Sequence, residues 1–462
     1  MLRPAPARGR NRAAAFIRSL DLPRHRTTAP LRDATTDLTS DATRDANRTL
    51  NDSAEHLEAE SAERAFIERG RRGYRPTMLA LFLGAFSTFV LLYCVQPIMP
   101  ILSEAFGIDA ATSSLSLSVA TGMLAIGLLI TGPISDAVGR KSIMSVALLA
   151  ASTFTLLAAV MPSWSGVLVM RALAGLSLSG LCAVAMTYLN EEIHPRYVGL
   201  SMGLYISGNS IGGMSGRLIS GVMVDWVPWR WTLAIIGLVA LLAALLFMRW
   251  LPPSRHFTPR PFNARSVLSG FTVHFKDRGL PLLFLEAFLL MGGFVTLYNY
   301  IAYRLLAEPY QVSQALVGLL SIAYLSGTYS SAWAGSLADR LGRQRIFWLF
   351  IVMMLVGLAI TLFEPISLIL VGILIFTFGF FAAHSLASGW VGQRARQAKG
   401  QASSLYLFSY YLGSSVAGTL GGAFWYWGGW HGVALFIGGL LLVALMIGVF
   451  ALRHLEAPSA TG

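Results

Sequence analysis

After residue 75 the chain is built almost wholly of apolar runs long enough to cross a lipid bilayer as helices, and that repetition excludes most other folds. A helix needs about 20 apolar residues to span the hydrocarbon core. Such runs fall near 77–101, 112–133, 142–162, 165–189, 198–223, 231–251, 281–303, 314–334, 346–364, 367–391, 401–424 and 432–452. They are continuous rather than alternating, which excludes a transmembrane β-barrel. With 55% hydrophobic and 13% charged residues, the chain has too little charge to clothe a soluble protein of this size, so the lipid bilayer is its expected partner. The formal charge of +12 does not indicate nucleic acid: a nucleic-acid binder gathers its basic residues on a solvated face, and here they lie in short clusters between apolar runs. Cys94 and Cys182 fall inside such runs and read as small hydrophobes, not as disulfide or metal partners.

The basic clusters set an orientation. If the amino terminus is cytoplasmic, 16 of the 20 Lys and Arg residues after Arg75 fall on cytoplasmic connections or the tail, among them Arg140, Lys141, Arg340, Arg343, Arg345, Arg394, Arg396 and Lys399. By the positive-inside rule both termini then lie inside a bacterial inner membrane, which requires an even number of crossings. Residues 1–75 hold 15 basic and 11 acidic residues and few large apolar ones, so they are predicted to be a disordered cytoplasmic extension, with at most an amphipathic helix over Ala54–Arg69. They lack the apolar core of a secretory signal, and their acids argue against a transit peptide. The expected organisation is an amino-terminal half over 76–251, a cytoplasmic central loop over 252–280, a carboxy-terminal half over 281–453 and a tail over 454–462.

The two halves repeat one another. Gly132, Asp136, Gly139, Arg140 and Lys141 follow the second run, and 203 residues later Gly335, Asp339, Gly342 and Arg343 reproduce the spacing after the eighth. At an offset of 201, Gly199, Tyr205, Gly212, Gly221, Trp226 and Trp229 match Gly400, Tyr406, Gly413, Gly422, Trp427 and Trp430. With an even number of runs per half the two copies share orientation, so they are related by an axis along the membrane normal.

The doubled segment resembles the G-x-x-x-D-x-x-G-R-[KR] loop of the major facilitator superfamily, over roughly residues 76–453. The resemblance implies an all-α polytopic protein of twelve transmembrane helices in two pseudo-symmetric six-helix halves. It also implies that Asp136, Arg140 and Lys141 form a charged latch at the cytoplasmic mouth, holding the halves together in the outward-facing state. Arg171-Ala-Leu-Ala-Gly175 in run four is similar to the family's R-x-x-x-G element associated with proton coupling. Gly203, Gly208, Gly212, Gly213 and Gly216 in run five resemble the glycine-rich element of antiporters, although Gly208-Asn209 stands where that element has Gly-Pro. Gln96-Pro97-Ile98-Met99-Pro100, Phe106-Gly107 and Tyr298-Asn299-Tyr300 look most like the twelve-helix drug/proton antiporter branch and its YnfM-like bacterial members.

Ionisable residues inside a membrane are costly to insert and so are functional candidates. Glu286 and His384 are the candidates for carrying protons, beside Arg171. Alternative readings are that His384 only bridges helices, that Glu286 snorkels to the cytoplasmic surface, and that Arg171 pairs with a helix carboxy terminus. Arg217 either binds an anionic group of a substrate or reaches the far interface. With it, Tyr93, Gln96, Tyr205, Asn209, Tyr298, Asn299 and Tyr406 are expected to face a central cavity near the midplane. The run-five glycines, with Ser414, Ser415 and Gly418, are expected to serve close helix packing.

The expected function is secondary transport of a small organic solute by a monomer, as proton-coupled efflux driven by the proton gradient without a cofactor, with uptake symport or facilitation as alternatives. An enzyme would need clustered nucleophiles or metal ligands, and the chain has no H-E-x-x-H spacing and no G-x-x-x-x-G-K-[ST] loop for ATP. A channel filter is equally lacking in the sequence.

Overall fold

The computed structural model describes residues 66–71, 73–259 and 264–452. Ten helices among them are long and apolar enough to cross a membrane. The last, Lys399–Leu452, is two crossings, because Gly428 and Gly429 leave helical geometry and Gly429 takes a φ of 53°. A further helix, Pro195–Met223, has 29 residues, enough to cross, but its many Gly and Ser lower its hydropathy. The chain thus makes twelve crossings: span one Tyr74–Tyr93, two Ala110–Val138, three Arg140–Val160, four Trp164–Glu192, five Pro195–Met223, six Trp229–Trp250, seven Leu280–Leu306, eight Gln314–Leu341, nine Arg343–Ile360, ten Ile366–Arg394, and eleven and twelve within Lys399–Leu452.

Local chemistry sets the ends. Asp109 caps span two by accepting from the Thr112 amide at 2.6 Å, and the Ser163 and Ser313 hydroxyls cap spans four and eight in the same way. Gly139 and Gly342, the last glycines of the doubled motif, adopt φ of 108° and 87°. That region is open to glycine and strained for other residues, which accounts for a glycine at each tight connection, from span two to three and from span eight to nine. On the opposite face Arg230 donates to the carbonyls of Ala159 and Met161 at the end of span three. Arg304 does the same for Thr361 and Phe363 at the end of span nine, so both symmetry-related helix ends are capped by a cation.

The packing repeats as well. Spans one and five, two and four, three and four, and three and six pack together, and seven and eleven, eight and ten, nine and ten, and nine and twelve are their counterparts. Between halves, span two packs on eleven and span five on eight, a pair of contacts that the same symmetry exchanges. The approach is closest where glycines lie: a Cβ on Gly212 would sit 2.4 Å from the Phe86 carbonyl oxygen, and one on Gly413 would sit 2.1 Å from that of Phe288.

Three expectations need correction. Span one ends at Tyr93 rather than near 101; the chain unwinds around Gln96 and Pro97 and resumes as a short helix, Met99–Phe106. Span eight is interrupted by a 3-10 turn at Leu320–Ala323 and runs on to Leu341. Ordered contacts begin at Phe66 rather than 76: Ile67 bridges Ile193 with hydrogen bonds to Glu192 and His194, and Phe66 stacks on His256 at 4.4 Å. Phe66–Arg69 is not helical, while the rest of the amphipathic stretch from Ala54, with residues 1–65 and the tail from 453, lies outside the described residues. The central loop holds the helix Ala264–Thr272 and a 3-10 turn.

Candidate functional site: a cavity between the halves and the gate beneath it

A cavity of about 410 Å³ lies between the halves. Tyr93, Tyr205 and Asn209 line it from the amino-terminal half, and Phe294, Tyr324, Phe380, Phe381, His384, Tyr406, Tyr410 and Tyr411 from the other. Its walls extend to Ser388, Val391 and Ser403, near the span ends that carry Arg394 and Lys399. It therefore opens toward the basic face.

The aromatic wall is continuous. Phe294 stacks on Phe380 at 3.8 Å, Phe380 stacks on His384 at 5.9 Å, and His384 lies 4.7 Å from the Tyr410 ring. The Tyr406 hydroxyl meets His384 Nδ1 at 2.9 Å. Glu286 is fully buried, within electrostatic reach of Tyr406, and neither carboxylate oxygen has a hydrogen-bond partner among the described residues. It does not snorkel to the surface.

Arg171 makes the helix-terminus contacts that were the alternative reading. Its guanidinium donates to the carbonyls of Leu91, Leu92 and Ser116 at 2.8, 2.7 and 3.0 Å. It thereby satisfies the carbonyls left open where span one unwinds, the helix-terminus geometry.

Away from the basic face the cavity is closed. Of the expected cavity residues, Gln96, Arg217, Tyr298 and Asn299 lie in this closure. Gln96 Nε2 donates to Asn299 Oδ1 at 2.7 Å across the halves, and Arg217 Nε donates to Gln96 Oε1 at 2.5 Å. Ser103 and Tyr303 meet at 2.8 Å, the Asp225 carboxylate accepts from the Ala315 amide at 2.9 Å, and Ser415 donates to the Ser118 carbonyl at 2.7 Å. Tyr298 pairs with Thr377 at 2.8 Å.

At the basic mouth the two copies of the motif are unequal. Arg140 binds Asp136 at 2.5 Å and grips Glu191 through two nitrogens, at 3.1 and 2.8 Å. In the second copy Asp339 is exposed and Arg343 Nη1 has no partner among the described residues. Gly132 and Gly335 have open space beside them. Lys141 is partly exposed. The latch is thus an ion-pair cluster within the amino-terminal half. Glu191 was missed in the sequence, although two adjacent acids ending an apolar run on a basic face were a signal. Tyr324, Tyr410 and the Phe380–Phe381 pair were missed too, because one aromatic in an apolar run resembles any other.

The model of the Major Facilitator Superfamily matches residues 81–418 and 287–461. The chain belongs to this superfamily. It is 59% identical over 397 residues to the inner membrane transport protein YnfM of Escherichia coli (strain K12), covering 86% of this chain and 95% of that one. It is 43% identical to the uncharacterized MFS-type transporter YybF of Bacillus subtilis (strain 168), covering 85% and 97%. The nucleoside transporter NupG shares the fold with a TM-score of 0.67 at 14% identity, covering 80% of this chain and 98% of that one. A bacterial homologue of the lysosomal transporter Spinster shares it with a TM-score of 0.65, also at 14% identity, over 82% and 95%. The protein is a membrane transporter of the major facilitator fold and not an enzyme.

Proposed function

We propose that this superfamily member exports a small organic solute in exchange for protons, acting as a monomer in a bacterial inner membrane with its basic face and both termini in the cytoplasm. The positive-inside rule supports that sidedness, and with it the cavity open to the basic face corresponds to an inward-facing state. The solute has an apolar or aromatic body, to suit walls of Tyr and Phe.

The observation that carries proton exchange is the Tyr406–His384 hydrogen bond in the cavity wall with Glu286 buried beside Tyr406. Because His384 forms part of the wall that holds the solute, loading of solute and of proton are linked at one place, as exchange requires. Arg171 serves this scheme as a positioning residue that fixes the unwound end of span one.

The test is proton flux in liposomes containing a lumenal pH dye, with a panel of aromatic and amphipathic compounds, for the wild type, Glu286→Gln and His384→Ala. Solute-induced flux lost in either variant while solute binding persists supports the proposal. Solute uptake with no proton movement in the wild type overturns the coupling and makes the protein a facilitator.

A further inference from the structure

Arg217 is a buried cation at the closed end of the cavity and forms no ion pair with a carboxylate among the described residues. Its guanidinium lies 3.9 Å from the Tyr93 ring and 4.6 Å from the Tyr324 ring, both of which also line the cavity. It donates to Gln96 Oε1 and to the Gly213 carbonyl, both neutral acceptors, and Nη2 has no hydrogen-bond partner among the described residues. Two further buried groups nearby are unmet: Asn299 Nδ2, on the residue that Gln96 binds, and the Tyr324 hydroxyl. Arg217 thus has donor capacity to spare on Nη2, in a closure that also contains the unmet Asn299 Nδ2 and Tyr324 hydroxyl. A buried charge without a counter-charge is costly to keep in a membrane.

The repeat sharpens the point. Gln96 and Asn299 are 203 residues apart, the offset of the doubled motif, so two equivalent amides meet at the axis between halves. The residue 201 positions after Arg217 is Gly418, beside Asn299. The cation is present on one side only. It decides how the central amide pair is set, because by holding Gln96 Oε1 it turns Nε2 toward Asn299.

We propose that Arg217 is the recognition site for an anionic group on the transported solute, and that the anion opens the outer gate by replacing Gln96 as the partner of the guanidinium. A carboxylate, sulfonate or phosphate accepts from the guanidinium and forms stronger, charge-assisted bonds than an amide. Gln96 released from Arg217 no longer has its amide fixed toward Asn299, and the central bond between halves is lost. This rests on the transport reading above and adds the charge of the solute to it.

The test measures binding, so that it is independent of proton coupling. Melting of the purified full-length protein in detergent is followed with benzoate, benzenesulfonate and phenyl phosphate, and with benzamide and benzylammonium as neutral and cationic counterparts. At least one of the three anions should stabilise the wild type more than its counterparts do, with affinity falling roughly ten- to hundredfold in Arg217→Gln, the range for a lost charged hydrogen bond. Gln96→Leu should bind the same anion more tightly, since the internal competitor is gone, an effect a merely structural Arg217 would not give. In a background of Cys94→Ala and Cys182→Ala, the Ser103→Cys variant should react faster with an impermeant maleimide from the outer side when that anion is present, and should not when Arg217→Gln is added. No stabilisation by any of the three anions, or equal stabilisation of Gln96→Leu and wild type, overturns the proposal. Loss of proton flux in Glu286→Gln with anion binding intact would leave both readings standing. Anion binding by a wild type that moves no protons would sink the coupling alone.

Discussion

The glycine row on span five permits a test with its own control. Gly208, Gly212 and Gly216 face the backbone of span one, and a Cβ on each would lie 2.8, 2.4 and 2.8 Å from its nearest atom at Phe82, Phe86 and Val90. Ordinary contact begins at 3.4 Å, so Gly212→Ala must push the backbones of the two helices apart by about 1 Å against rigid atoms, at a cost of about 1–3 kcal/mol for overpacking. Gly203, on the same helix, has nothing within 4 Å of its would-be Cβ. Gly203→Ala should therefore be neutral or stabilising, by up to about 1 kcal/mol of helix propensity. Thermal melting of the purified protein in one detergent reads both. Gly413→Ala should behave as Gly212→Ala does, since its nearest contact is the Phe288 carbonyl oxygen at 2.1 Å. If Gly212→Ala melts at or above both the wild type and Gly203→Ala, the backbone contact between spans one and five is not what the glycines serve.

Arg171→Gln removes a buried cation and cannot replace all three of its hydrogen bonds, and should cost about 3 kcal/mol, seen as loss of folded protein on size-exclusion chromatography. Glu191→Gln should weaken the Arg140 cluster and raise the exchange of amides at the basic ends of spans two to four, measured by hydrogen–deuterium exchange. Asp277 lies outside the spans, where burial works to raise its carboxyl but Arg394 and the amides of Leu280 and Gly279 outweigh it and hold it below the usual carboxylate range. Its stabilising contribution is therefore complete above the ordinary Asp value of about 3.9 and lost as pH falls through the lower folded value. The difference in melting temperature between wild type and Asp277→Asn should hold constant at neutral pH and shrink only in strong acid.

Much of the architecture was legible because the bilayer restricts the choices: a long apolar run must be a helix, and duplicated motifs must take equivalent places. The equivalent places of Gly139 and Gly342 were readable for that reason, and in the structure both take a positive φ. The limits came where side chains choose partners across distant segments. Arg171 carries a motif, yet two of its three hydrogen bonds go to span one, about 80 residues away in sequence. Gln96 and Arg217 read as cavity residues and lie in the closure instead, because whether a polar side chain faces an opening or a seal depends on which end of the bundle is open. Span one ran too long in the sequence because Gln96 and Pro97 interrupt it by loss of backbone hydrogen bonds, and the residues beyond them are apolar again.

The pairing of span two with eleven, and of span five with eight, follows the symmetry of the halves. It is the contact pattern of a symmetric homodimer of six-helix subunits, in which the same patch meets itself across a two-fold axis. Such a dimer cannot place one cation beside its axis without placing two, and two buried arginines facing each other there would repel. In a single chain the two places are free to differ, and position 217 is arginine while position 418 is glycine. The cation therefore stands on one side only of the amide pair through which the two halves meet.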